Sequence, residues 1–310
     1  MQLKEDYTSE IIKLNPDYEG DVKAVLVASN KNRGNRKSVL YLHGYIDYFF
    51  HPHLGEKFNQ NGFDFFALDL RKHGRSLMRH QHPNYCKDLR EYFEEISITI
   101  KKIKQKGNPV FLLAHSTGGL TASYYMNYGK ERDSINGLIL NSPFLDFNQS
   151  PLSKSISLFV ASLISKMSTY AKIEGALSSA YAESIHKDYF GEWDFNLEWK
   201  PIKGFPTYFI WVLAIAKAQT EMKTSDIQVP ILLMHSSGSK KIKKYSKEAM
   251  TNDIVLNIED IKRVGEKLGD KVERLEIKNA QHDIFLSPKA VRDIGFNKMF
   301  SWLESTDFKK

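Results

Sequence analysis

Cysteine is almost absent from this chain: Cys86 stands alone among 310 residues. No intramolecular disulfide can form and no cysteine-based metal site can be built from this chain alone, which fits a reducing, cytoplasmic compartment. The opening MQLKEDYTSE lacks the basic start and apolar run of a secretory signal, so export by that route is not expected. Long hydrophobic runs are missing as well. The two most apolar segments, around Ile156 to Ile164 and Phe205 to Ala216, fall short of the roughly 20 residues that a membrane-spanning helix requires. Low-complexity tracts and internal repeats are also absent, which removes fibrous and solenoid architectures.

What is present belongs to a soluble globular protein: 42% hydrophobic, 12% aromatic and 26% charged residues, in a chain long enough to bury a sizeable core. The formal charge of +7 raises the question of an anionic partner, nucleic acid or a lipid surface. The positive residues are scattered, however, and only Lys240-Lys241-Ile242-Lys243-Lys244 is dense. No aromatic-plus-basic module accompanies them, so nucleic acid is not an expected partner. Peripheral contact with a membrane stays open, and nothing fixes an oligomeric state.

Short runs rich in Val, Ile, Leu and Phe recur at Val22 to Val27, Ser38 to Leu42, Phe63 to Leu70, Pro109 to Ala114, Ile135 to Leu140, Val229 to Met234 and Val272 to Ile277. Most are continuously apolar over strand length, the pattern of strands covered on both faces. Helical patterns lie between several of them: Leu54 to Gln60, Leu89 to Lys106, Leu120 to Tyr128, Ile258 to Leu268 and Ala290 to Leu303. This alternation predicts an α/β fold, a mostly parallel central sheet flanked by helices. From about Pro143 to Gln228 the rhythm fails. That interval has no convincing strand, has helical stretches at Ile156 to Met167 and Tyr208 to Ala216, and carries the tryptophan-rich GEWDFNLEWKP of Gly191 to Pro201. A structureless loop of that length is improbable in a compact domain. The expected division is therefore a core of 1–142 and 229–310 with a largely helical cap, 143–228, inserted as a lid.

The most informative stretch is LLAHSTGG, Leu112 to Gly119. Ser116 falls between a strand and a helix, the context of a nucleophile elbow, whose sharp turn demands small residues two places to either side. Gly118 satisfies one side, and Ala114 stands at the other. The bland reading is a serine that caps a helix. A second strand ends in His43-Gly44-Tyr45. In hydrolases of this design the loop after that strand and the residue after the nucleophile supply backbone N–H groups to a developing oxyanion, here Tyr45 and Thr117. His43, Gly44, His115 and Gly118 are support. Asp69, Arg71 and His73 are expected to form a hydrogen-bonded corner on the site floor. A base is found in Asn279-Ala280-Gln281-His282-Asp283, since His282 alone among the histidines follows the last strand. The acid is harder to place, because His235-Ser236-Ser237-Gly238 after the preceding strand holds no carboxylate. Asp253, before a helix start, is the first choice, with Glu248 and Asp283 as alternatives. Its role is to orient the imidazole and stabilise its protonated form. His51-Pro52-His53 and His80-Gln81-His82 lack a third ligand pattern and read as surface or loop histidines, so no metal is expected.

These residues resemble the α/β-hydrolase superfamily and, within it, lysophospholipase or monoacylglycerol-lipase-like serine hydrolases, which are grouped with the serine aminopeptidases. The resemblance runs through LHGY (Leu42 to Tyr45), DLRKHGRS (Asp69 to Ser76), AHSTGG (Ala114 to Gly119), SPFLD (Ser142 to Asp146), NDIVL (Asn252 to Leu256) and HDIFLS (His282 to Ser287), nearly the whole chain. It implies Ser116, Asp253 and His282 as a catalytic triad, 143–228 as the cap, and no cofactor. Ala114 departs from the commoner glycine, Lys72 from another, and Asp253 lies well beyond its usual place. The implied activity is hydrolysis of a small carboxylic ester with an apolar acyl group. Amide or peptide cleavage would need a carboxylate in the cap to bind an ammonium, and Glu174, Glu183 and Glu192 are available. A non-catalytic binding protein on the same fold is the third reading.

Overall fold

The computed structural model describes residues 6–34, 36–104 and 108–308. Eight strands form one sheet in the order β1-β2-β4-β3-β5-β6-β9-β10. They are β1 (Tyr7–Lys13), β2 (Lys23–Ser29), β3 (Lys37–Leu42), β4 (Phe63–Asp69), β5 (Val110–His115), β6 (Ile135–Asn141), β9 (Ile231–Ser236) and β10 (Val272–Ile277). From β4 to β10 every pairing is parallel, and β2 and β1 extend the sheet antiparallel. The continuous apolar runs have a simple cause. Leu40, Leu112, Leu138 and Leu233 face one core, while Val39, Phe111, Ile139 and Leu232 face the other. A strand buried on both sides cannot alternate with polar residues. Helices α2 (Phe93–Ile103), α3 (Thr117–Tyr128) and α7 (Ile258–Gly265) contribute Ile96, Ile100, Leu120 and Ile261 to the first core. Helices α1 (Pro52–Gln60) and α8 (Lys289–Ser305) contribute Leu54, Phe58, Phe296 and Trp302 to the second.

Three expectations need correction. Strand β1 escaped notice because it is an edge strand in which Tyr7 and Ile12 alone are buried, so YTSEIIK shows no apolar run. The segment expected as one helix from Leu89 begins as a 3₁₀ turn, Leu89–Tyr92, capped by Asp88 with a reciprocal bond from Glu91, and α2 ends at Ile103. Lys106, its expected end, lies outside the described residues. The interval 143–228 adds no strand to the main sheet but does contain a two-stranded ribbon, β7 (Lys172–Ile173) with β8 (Thr207–Tyr208). Two residues per strand leave no periodicity to read. Around this ribbon run the helices α4 (Pro151–Met167), α5 (Ala180–Ile185) and α6 (Phe209–Glu221).

Candidate active site

The loops beyond the C-terminal ends of β3, β5, β9 and β10 converge, the usual place for a site in a parallel α/β sheet. Ser116 follows β5 directly with φ 53° and ψ −119°, a left-handed conformation that a serine adopts only under constraint. A helix-capping serine is extended and turns its hydroxyl onto the helix. Ser116 does neither, and makes no side-chain bond to α3. The small residues around it are explained by crowding. A Cβ on Gly118 would stand 2.3 Å from the carbonyl oxygen of His43 and 2.7 Å from that of Leu42, and one on Gly44 would stand 3.1 Å from Ser116 Cβ. Helix α3 is therefore pressed onto the end of β3 and the loop that leaves it.

Freed from capping, Ser116 Oγ lies 2.9 Å from His282 Nε2, and His282 Nδ1 lies 2.8 Å from Asp253 Oδ2. Because a carboxylate only accepts, Nδ1–H donates to Asp253 and Nε2 is left to accept the Ser116 hydroxyl. All three side chains are buried. Asp253 is fixed twice more, as its Oδ1 accepts the N–H groups of Val255 at 2.9 Å and Leu256 at 2.8 Å. Its distant place in sequence is only apparent. Asp253 N–H donates to Gly238 C=O and Lys240 N–H to Asp253 C=O, each at 2.9 Å, so 240–252 is a detour that returns Asp253 to the end of β9. Glu248 is exposed and pairs with Lys240, away from the imidazole. Asp283 turns the other way: its Oδ1 accepts Asn141 Nδ2 at 2.7 Å and Phe285 N–H at 2.9 Å.

The backbone N–H groups of Tyr45 and Thr117 have no hydrogen-bond acceptor among the described residues. His43 secures the first of these loops by donating Nδ1–H to Gly44 C=O at 2.8 Å and accepting Leu70 N–H on Nε2 at 3.0 Å. His115 donates Nδ1–H to Asn141 C=O at 3.1 Å. Burial holds its pKa down to about 4. The expected corner forms, but with partners the sequence did not suggest. Asp69 accepts Phe49 N–H and Arg75, Arg71 is forked onto Glu95 with Glu94 beside it, and His73 Nδ1 bonds Arg71 C=O. Lys72, in the position of the missing glycine, has φ 61° and is compensated by ion pairs to Asp17 and Glu19.

His51 and His53 are not surface histidines. His51 is fully buried and stacks edge-on against Tyr41, while His53 lies on Trp193. Beneath the site, Tyr41 Oη, both ring nitrogens of His51 and Asp283 Oδ2 have no hydrogen-bond partner among the described residues. Sequence reasoning also missed a buried ion pair, Asp47 Oδ1 to Lys200 Nζ at 2.8 Å. Burial pushes the Asp47 carboxyl up, but the Lys200 ammonium and its hydrogen bond, with smaller contributions from His43 and His115, together outweigh it and the net value falls to about 2. Tyr181 of α5 sets its ring edge-on to His282, 5.4 Å between centroids. Of the three glutamates named in 143–228, Glu183 accepts Ser179, Glu192 pairs with Arg292, and Glu174 is exposed beside Lys172.

The family described as serine aminopeptidase, S33, matches residues 33–288. Monoglyceride lipase of Saccharomyces cerevisiae is 26% identical over 155 residues, 48% of this chain and 48% of that protein. Phospholipase YtpA of Bacillus subtilis is 30% identical over 121 residues, 39% of this chain and 45% of that protein. The chain thus spans about half the length of the curated relatives it matches. A crystal structure of a soluble variant of the yeast monoglyceride lipase with a substrate analog aligns over 96% of both chains, with a TM-score of 0.69 at 20% identity. That likeness is one of fold, an α/β-hydrolase.

Proposed function

Since the chain belongs to the serine aminopeptidase S33 family, we propose that it is a serine hydrolase of carboxylic esters in which Ser116, His282 and Asp253 are the catalytic triad. His282 Nε2 takes the Ser116 proton as Oγ attacks the ester carbonyl, and the Tyr45 and Thr117 amides hold the oxyanion. The tetrahedral intermediate collapses, the alkoxide leaves with the proton from Nε2, and an acyl-enzyme remains. Water, deprotonated by the same imidazole, releases the acid and restores Ser116. The observation that carries this reading is the unbroken chain from Ser116 Oγ through the imidazole to Asp253, with steps of 2.9 and 2.8 Å.

An ester is favoured over a peptide because Glu183 accepts the Ser179 hydroxyl, Glu192 pairs with Arg292 and Glu174 is exposed, and because the buried Asp47, whose loop faces 143–228, is already paired with Lys200. The names of the two curated relatives, a lipase and a phospholipase, support an acyl-lipid substrate. In this reading 143–228 is a cap that supplies an apolar wall. The decisive experiment is a series of p-nitrophenyl esters of increasing acyl length, assayed on the wild type and on Ser116→Ala, with fluorophosphonate labelling. Equal turnover by both proteins refutes the mechanism, and no labelling of the wild type favours a binding protein instead.

The cap also supports peripheral contact with a lipid surface. On α4 the apolar stripe Leu152, Ile156, Phe159, Leu163 and Met167 points outward and is exposed, while Ala161 and Ser165 face inward. This reverses the usual polarity of a surface helix. The lysine-rich loop 240–244 lies alongside: Lys241 Nζ bonds Asn148 C=O just before α4, and Lys243 C=O accepts Ser178. An apolar face beside a basic loop matches an anionic bilayer. No helix among the described residues is long and apolar enough to cross a membrane. A cytoplasmic setting completes the reading, in keeping with one buried, unpaired cysteine.

A further inference from the structure

The loop that follows β3 carries an unusual density of contacts to the insertion. Tyr45 stacks on Trp211 of α6, 4.0 Å between centroids, and its hydroxyl bonds Thr207. Gly204 is close enough to Ile46 that a Cβ on it would lie 3.3 Å from Ile46 Cδ1. Asp47 pairs with Lys200, Tyr48 Oη accepts the N–H of Asn196 at 2.7 Å, and Phe50 packs on Phe195. Between 45 and 50, Phe49 is the residue that turns toward the core instead, onto Tyr7, Tyr41 and Phe65. The loop is also strained. Ile46 has φ 50°, a left-handed conformation that is costly for a β-branched residue and persists only where the surroundings impose it.

The centre of this grip is the Asp47–Lys200 pair, with side chains 4% and 7% exposed. Its ammonium lies 5.5 Å above the ring of Phe50 and 5.6 Å above that of Phe195. A buried ion pair is a poor source of net stability, because desolvation offsets the attraction, but its geometry is exacting. Two residues upstream of Asp47 stands the Tyr45 amide.

We propose that Lys200 is a positioning residue: by pairing with Asp47 it holds the strained 45–50 loop so that the Tyr45 N–H points at the carbonyl oxygen being attacked. The insertion is then part of the oxyanion hole as well as a cover over it. This inference rests on the triad reading above. Lys200 touches no reacting atom, so its removal weakens binding of the tetrahedral state and leaves substrate binding nearly intact.

The test compares Lys200→Met, Lys200→Arg and the double variant Asp47→Asn with Lys200→Met, using kcat, KM and the affinity of a trifluoromethyl ketone that forms a tetrahedral adduct with Ser116. Lys200→Met is expected to lower kcat about tenfold to a hundredfold with KM within threefold, and to weaken the ketone by the same factor. Lys200→Arg restores part of kcat. The double variant leaves no unpaired buried charge, so its melting temperature recovers while its kcat stays low, which a merely structural pair would not produce. The inference is overturned if the double variant recovers kcat along with stability, or if Lys200→Met keeps wild-type kcat and ketone affinity. Ser116→Ala separates the two readings. An active Ser116→Ala sinks the triad, whereas an inactive Ser116→Ala beside a fully active Lys200→Met sinks only the role given to Lys200.

Discussion

Moderate acid should destabilise this protein before its carboxylates titrate. His73 and His115 are 5% and 3% exposed. Burial, reinforced at His73 by the neighbouring His43, holds their pKa values down from 6.5 to about 3 and about 4. A histidine kept neutral in the folded state stabilises it fully above its unfolded pKa, and that stability is lost as the pH falls from there toward the folded pKa, because the unfolded chain takes up the proton first. At pH 5 the interval below 6.5 is 1.5 units, which at about 1.4 kcal/mol per unit amounts to about 2 kcal/mol for each group. The two together remove about 4 kcal/mol between pH 7 and pH 5, against a total stability on the order of 5–15 kcal/mol. His51 and His235, whose pKa values burial also lowers, act in the same direction. Asp47, held at about 2, contributes stability that is fully present above about pH 4 and is lost only below that. Denaturant titrations followed by tryptophan fluorescence at pH 7, 6 and 5 measure the loss. In His73→Asn, which keeps a donor for the Arg71 carbonyl, the loss from pH 7 to 5 should shrink by about 2 kcal/mol. A wild-type loss below about 1 kcal/mol, or an unchanged loss in His73→Asn, would refute the argument.

Asp253→Asn should lower kcat by roughly 10³ to 10⁴ with little change in KM, because the amide no longer fixes the imidazole with its proton on Nδ1. Glu248→Gln, on the exposed side of the 240–252 detour, should leave steady-state kinetics unchanged, and a large loss there would reassign the acid. Gly118→Ala forces a methyl group onto the carbonyls of His43 and Leu42, so a destabilisation of about 3 kcal/mol or more is expected by denaturant titration. Phe159→Ser combined with Leu163→Ser should abolish co-flotation with phosphatidylserine vesicles while turnover of a short soluble ester is retained. Unchanged flotation removes the lipid-surface reading, as does a concentration-dependent dimer that these substitutions dissociate.

The core was legible because its strands are buried on both faces, a state that only apolar residues satisfy, so Val39 to Leu42 and Phe111 to Ala114 mark themselves. The elbow was legible for a different reason: the crowding at Gly118 admits no side chain, and steric demands of that kind leave a mark at fixed spacing. Edge strand β1 and the two-residue strands β7 and β8 left no such mark, since their backbone hydrogen bonds do not depend on what the side chains are. Asp253 stands far from His235 in sequence yet meets His282 in the fold. That placement rests on the Gly238 and Lys240 backbone bonds, which no residue type announces. Least legible was the contact between the 45–50 loop and the insertion. Asp47 and Lys200 are ordinary surface residue types, and their meeting across 153 positions is a property of the fold.

Positive φ values outside glycine are not scattered over this molecule. Of the six among the described residues, Ile46 follows β3, Lys72 follows β4, Ser116 follows β5, Ser142 follows β6 and Asn279 follows β10, while the sixth, Asn84, lies in a loop and accepts the Ile46 N–H on its side chain. The first five lie beyond the C-terminal ends of parallel strands, on the side of the sheet where Ser116 stands. Each such residue costs on the order of 1 kcal/mol or more relative to a relaxed backbone, and the cost persists only where the surrounding packing enforces it. The same side of the sheet gathers the buried His43, the buried His73 and His115, whose pKa values burial lowers, and the orphaned polar atoms of Tyr41, His51 and Asp283. Stability is thus lowered in one region and supplied by the two apolar cores on either face of the sheet. A surface under selection for stability alone would relax these turns with glycine and fill the polar space with leucine. Their concentration around one serine argues that this edge of the sheet is arranged for chemistry, independently of any likeness to other proteins.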